Sequence, residues 1–250
     1  YVRIARDDGG LFYACGRGCP PAQCVVLSPS PRVDQTCCVK ARRLEQCECE
    51  AHKLALSVLP NDVLAVQCAK VCKHMRCCYT VLRHADGEDM LQLWQDNRLP
   101  SWSVVLMCLR DIALHLAVLH AADLMHGDAM LENFMIEENA YRRPRGRLID
   151  FGCVQRSGYP SRNARAQNFM CAEVDLSMLC LSVGRLAFGI EPGNAQDLLC
   201  CSAATTRLSL VREWHGNSDC AKLSAEQLAS LFDHVTAASL AEALLLLIDT

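Results

Sequence analysis

The stretch "MHGDAMLENF" (125–134) sets an acid, Asp128, and an amide, Asn133, five positions apart behind a His-Gly pair. Seventeen residues after Asn133, "LIDFG" (148–152) places a second acid, Asp150, at the end of an apolar run. Singly, each reads as a solvated turn residue or a helix cap. As a set they are oxygen groups of the kinds that move protons and hold hard cations. What matters is whether the rest of the chain can bring them to one place.

The segment before them reads as strands. "LFYAC" (11–15), "CVVL" (24–27) and "TCCVKA" (36–41) are short β-type runs separated by Gly- or Pro-rich turns. A charged helix is expected over 42–59, closed by Pro60, and two further strands over 63–72 and 77–85. From 86 onward the texture is helical. Residues 101–124 open on Ser101 as N-cap and are apolar almost all round, which predicts a buried helix. Residues 173–189 predict a second helix, ending in Gly189, and the tail from 195 holds at least two more, one opening on Ser224. There are no internal repeats and no long low-complexity linker. The expected class is α+β, with a small strand-rich lobe over 1–85 and a larger, mainly α-helical lobe over 86–250. The boundary falls near "HADGED" (84–89).

With that division, "LHAADLMHGDAMLENFMI" (119–136) resembles the catalytic loop of the protein kinase superfamily, and "LIDFG" resembles its metal-binding segment. The two stand in order behind a β-rich half with a Val-Lys strand, and the resemblance covers nearly the whole chain. It implies a bilobal fold, a small antiparallel β-sheet lobe plus a larger helical lobe, that binds ATP and Mg2+. Phosphoryl transfer spreads negative charge over the transferring group, so such a site mainly positions reactants and neutralises charge. By resemblance, Asp128 accepts the proton of the attacking hydroxyl or orients it, and Asn133 and Asp150 hold magnesium. Lys40 in "CCVK" matches the lysine that grips the phosphates. Glu50 fits the family pattern best as its partner, with Glu45 and Glu48 also on offer. Gly16 and Gly18 in "CGRGCPPAQCVVL" (15–27) stand where the nucleotide-covering loop belongs. Pro20 and Pro21 fall near the place of the third glycine and have no N–H to offer a phosphate. "TVLRHADGED" (80–89) resembles the hinge, where backbone groups of Arg83 to Ala85 meet adenine and Leu82 guards the pocket behind it.

The departures from the family pattern carry their own expectations. Gly127 takes the place of an Arg before the catalytic Asp, so no basic group there receives a phosphate on the activation segment, and activity is expected to be constitutive. Met130 replaces the Lys usual in Ser/Thr kinases, removing a cation that would neutralise the transferring phosphate. Asp175 resembles the acid that opens the central helix and braces the catalytic loop. "CAE" (171–173) then cannot also be the Ala-Pro-Glu element. The resemblance implies a divergent protein Ser/Thr kinase. The alternatives are a small-molecule kinase of the aminoglycoside or choline type, which shares the "HGD" order, and a pseudokinase acting as a binding module. Compact divergent kinases of large DNA viruses, herpesvirus-like ones among them, share this texture.

Composition bounds the partners. The chain of 250 residues and 27.6 kDa is 51% apolar, enough for a sizeable core rather than disorder. Its 25 basic and 28 acidic residues leave a net charge of −3, which argues against a general nucleic-acid or membrane-surface binder. No uninterrupted apolar run exceeds the six residues of "ALLLLI" (243–248), far short of the roughly eighteen residues of a membrane helix, and the N-terminus carries no signal-peptide pattern. Eighteen cysteines are many, but a long Leu/Ala-rich chain is not a disulfide scaffold. They read as small buried apolar residues in a reducing, intracellular setting, cytoplasm or nucleus. "CAKVCKHMRCC" (68–78) has no CxxC pair and no partner knuckle, so zinc is not expected there. The expected partner is a protein substrate bearing a Ser or Thr hydroxyl, with no nucleic acid and no membrane, met by a monomer.

Overall fold

In a computed structural model, which describes residues 5–6, 12–14, 25–27, 37–43, 49–60, 65–72, 77–83, 87–138, 143–159, 171–200, 203–219 and 221–248, the short runs of the first third pair into two antiparallel sheets. Strands β1 (Ala5–Arg6), β2 (Phe12–Ala14) and β3 (Val25–Leu27) make one, in chain order. The other contains β4 (Cys37–Arg43), β5 (Ala65–Cys72) and β6 (Cys77–Arg83), with β6 in the middle. In register, Lys40 pairs with Thr80 and Cys38 with Leu82. Helix α1 (Cys49–Val58) starts later than the expected 42–59, because Arg42 and Arg43 continue β4 opposite Cys78 and Cys77. Ladder hydrogen bonds to β6 decide those two residues, and a partner strand more than thirty residues away leaves no local periodicity. The helix buries Ala51, His52 and Ala55, with Leu59 buried just past its end, and turns Glu50 and Lys53 outward.

Contacts divide the chain into two compact units, Tyr1–Ala85 and Asp86–Thr250. The second opens with β7 (Gly87–Asp89) and α2 (Met90–Gln95), followed by the long α3 (Trp102–Ala121). Short strands β8 (Leu124–Met125), β9 (Phe134–Glu138), β10 (Pro144–Leu148) and β11 (Gln155–Arg156) come next. The remainder is helical: α4 (Ala172–Phe188), α5 (Ala195–Cys200), α6 (Ala204–Gly216), α7 (Ala225–Leu231) and α8 (Ala237–Leu246). The class is α+β, with small antiparallel sheets and eight α-helices among the described residues. Capping is local where the sequence supplies it. Ser224 and Gln227 exchange side-chain and backbone hydrogen bonds at the start of α7.

Helix α3 is buried on one side rather than all round. Val105, Leu106, Leu109, Ile112, Leu116 and Leu119 are buried where α8 and β10 pack, while Met107, Leu114 and Val118 are 39%, 39% and 43% exposed. Among the described residues it is the one helix long and apolar enough to cross a membrane, and half of its apolar window is buried inside the protein. Arg110 and Asp111 interrupt the apolar run yet leave the average high, so counting uninterrupted runs overlooks it. Strand β10 reaches α3 at Gly146, where an added Cβ would lie 1.9 Å from the Cys108 carbonyl oxygen. Helix α4 is buried without interruption from Met178 to Phe188. Cys108, Cys171 and Cys180 are free thiols. Burial pushes Cys108 up to about 12 and raises Cys180 as well, so these two pack as small apolar groups.

Candidate active site

Two antiparallel pairings build the site. Strand β8 pairs with β11, setting Met125 opposite Gln155, and β9 pairs with β10, setting Phe134 opposite Leu148. The segments between them, 126–133 and 149–154, are thereby brought side by side, and the Ile149 N–H donates to the Asn133 carbonyl at 2.9 Å. A bidentate pair fastens β9 to β10: Arg147 donates through Nε and Nη2 to the Glu137 carboxylate, each at 2.7 Å.

After β8 the chain turns through Gly127, whose φ of 78° lies in the left-handed region that glycine enters without cost. The turn aims two successive amides at α4. His126 N–H donates to Asp175 Oδ2 at 2.7 Å, and Gly127 N–H to Asp175 Oδ1 at 2.8 Å. Asp175 lies in the first turn of α4 and is fully buried. A carboxylate taken out of water must be hydrogen-bonded to be tolerated, and the two amides, with His120 Nε2 at 3.0 Å, supply those bonds.

His126 is completely buried and joins both segments. The Asp128 N–H donates to its Nδ1 at 3.3 Å, so that nitrogen carries no proton. Nε2 therefore carries it and donates to the Ile149 carbonyl at 3.1 Å. Burial holds the imidazole below its ordinary pKa, against the opposing charges of Asp175, Asp150 and Asp128. The ring meets Phe151 edge-on, with centroids 5.3 Å apart.

Asn133 is buried and gives its Nδ2 protons to Asp128, at 2.8 Å to the carbonyl and 3.0 Å to Oδ2. Reversing the amide would face its oxygen with two acceptors, so Nδ2 belongs on Asp128 and Oδ1 is left for another ligand. Burial raises the pKa of the Asp128 carboxyl, opposed by His126 and the Asn133 hydrogen bond and reinforced by the charges of Glu132 and Asp150. Asp150 adopts φ 59° and ψ 62°, a left-handed conformation that costs a non-glycine residue energy, and its Oδ1 accepts from Gly152 N–H at 3.4 Å. Such strain at an acid next to Ile149, whose backbone is bonded to Asn133 and His126, is a frequent mark of a working site.

Asp128, Asn133 and Asp150 thus come together. Met130 is half-buried in the same loop, where its N–H donates to the Asp128 carbonyl at 2.9 Å. Glu50 is exposed and pairs with Lys53 of its own helix at 2.7 Å. Lys40 lies on β4, and Leu82 and Arg83 end β6, but their side chains, with Gly16, Gly18, Glu45, Glu48 and Ala85, lie outside the described residues. Beyond β11 the Ser157 hydroxyl donates to the Asp123 carboxylate, and Tyr159 is 60% exposed. Among the described residues no group of three or more His, Cys, Asp or Glu side chains could hold a metal; the oxygens gathered here are two carboxylates and an amide. Three neighbours were not foreseen: the neutral His126 bridge, His120 on Asp175, and Arg185 of α4, whose Nη1 lies 3.8 Å from Glu132. Compared with models of known families and with curated proteins, the chain matches none.

Proposed function

We propose that the chain is a two-lobed, protein-kinase-like phosphotransferase that moves a phosphoryl group from ATP, with magnesium, to a Ser or Thr hydroxyl of a protein inside the cell. One observation carries the reading. Asp128 and Asn133 are joined side chain to side chain, and a buried imidazole links the same loop to the backbone beside Asp150. The donor set suits the ion, since magnesium takes hard oxygen ligands, and Asn133 Oδ1 with the Asp150 carboxylate would hold it. Bound there, the ion supplies charge neutralisation at the nucleotide phosphates.

The chain's own residues have simple tasks. Asp128, steadied by Asn133, accepts the hydrogen of the incoming hydroxyl and aims its oxygen. His126 keeps Asp128 and Ile149 at a fixed separation without adding charge. Asp175 holds the turn that presents Asp128. On this reading Lys40 grips the phosphates, Glu50 leaves Lys53 to orient Lys40, and Gly16 and Gly18 cover the nucleotide. Leu82, Arg83 and Ala85 line the adenine site.

A binding module without turnover is the second reading, and Met130 favours it, because that position brings no cation to the transferring group. Both are tested by incubating the protein with magnesium and γ-labelled ATP, with and without a generic protein acceptor. Label on the acceptor is expected, and Asp150→Asn should abolish magnesium-dependent nucleotide binding and transfer. Tight nucleotide binding with no transfer to protein or small alcohol would establish the binding module. Unchanged affinity and rate in Asp150→Asn would remove Asp150 from the site.

A further inference from the structure

We infer that Arg185 is a positioning residue, which through Glu132 ties the loop bearing Asp128 and Asn133 to the core helix α4. The inference concerns the loop's geometry, and its consequence for turnover rests on the kinase reading. Arg185 stands in the last turn of α4 and is only 8% exposed. Its guanidinium reaches three other segments of the same unit. It lies 5.5 Å over the ring of Trp94 in α2, its Nη1 is 3.8 Å from Glu132 Oε2, and its Nη2 donates to Glu191 beyond the helix. Glu132 belongs to the short turn Leu131–Asn133, next to Asn133 and four residues after Asp128.

A buried guanidinium is not needed to fill this space. An apolar side chain of similar volume often stabilises a core as well or better, whereas a buried cation specifies which acids must approach. The acids here are one in the catalytic loop and one after α4, and Trp94 covers the cation's face. Arg185 therefore fixes where the loop sits against α2 and α4.

The contact makes the two partners act as one unit on the loop. The Asn133 N–H, which donates to the Met130 carbonyl at 2.8 Å, reports whether the loop is held. Arg185→Gln should speed hydrogen exchange of that amide about tenfold, and should speed it less when Glu132→Gln is already present. Arg185→Lys keeps the charge and should leave the exchange near its wild-type rate, which also covers the case in which Arg185→Gln does not fold. The measurement is amide hydrogen exchange of the whole chain in each variant and in the double variant. Alongside it, Arg185→Gln should reduce kcat about tenfold, and Arg185→Lys should keep most of the activity.

The exchange measurement needs no turnover. Coupled changes at the Asn133 amide in a protein that transfers no phosphate would defeat the kinase reading and leave this inference standing. An active enzyme in which Arg185→Gln speeds that exchange equally with or without Glu132, or in which Arg185→Lys speeds it as much as Arg185→Gln, would overturn the inference and leave the kinase reading standing.

Discussion

His126 bridges two segments only while its ring is neutral, since Nδ1 must accept from Asp128 and Nε2 must donate to Ile149. Burial lowers its folded pKa below the ordinary 6.5. Between those two values the unfolded chain binds more protons than the folded one, so stability rises with pH across that window. The contribution is fully present above the ordinary value and is lost as pH falls through the window. Urea unfolding from about pH 5 to 7.5 should therefore show a positive slope of stability with pH, flatter in His126→Gln. An identical slope in the variant would mean that His126 is not the titrating group. At this scale the sequence was legible where residue type and spacing coincide, as for Asp128, Asn133 and Asp150. It was silent where a partner lies far along the chain. Arg185 stood in "LCLSVGRLAFG" as one cation in an apolar run, and nothing near it named Glu132, 53 residues earlier. His120 was equally opaque, because only folding brings it to Asp175.

The elements hold these residues through close backbone approach as much as through side chains. Gly146 brings β10 onto α3 at a distance that no Cβ can share with the Cys108 carbonyl. The neighbouring atom is backbone and cannot swing aside, so Gly146→Ala must push β10 from α3 and should cost about 1–3 kcal/mol, as overpacked cores do. Chemical denaturation with unchanged m-value checks this, and a loss below about 0.5 kcal/mol would show that the two elements slide freely. Because β10 leads directly into Ile149 and Asp150, the same substitution should also disturb the loop that they support. The long helices α3 and α4 were legible from capping and continuous apolar pattern, with Ser101 before the first and Gly189 after the second. The short strands β7, β9 and β10 were not. "PRGRL" carries two arginines and a glycine and becomes a strand only because β9 offers it a ladder. The same cause extended β4 into Arg42 and Arg43, where charge pattern alone suggested helix.

At the scale of the molecule, Asp128, Asn133, Asp150, Asp175 and Arg185 all belong to the unit Asp86–Thr250. That unit has a core of its own, in which Leu106, Leu109, Ile112, Leu116, Phe134, Leu148, Phe151 and Phe188 are almost fully buried. At about 165 residues it lies in the size range where one core sustains a fold. Among the described residues, the hydrogen bonds that join the loop to α4 and to Ile149 have both partners inside it, including the His126 and Gly127 amides on Asp175. Residues 86–250 expressed alone should therefore unfold cooperatively, with the circular dichroism of a largely helical protein. Lacking Lys40, Gly16 and Gly18, this fragment should transfer no phosphate under the kinase reading. Hydrogen exchange of the His126 and Gly127 amides separates folding from function. Both should be protected in the fragment to within about tenfold of the full chain, a difference of roughly 1.4 kcal/mol in opening free energy. Exchange at the rate of an unfolded peptide would show that the loop is built only when residues 1–85 are attached.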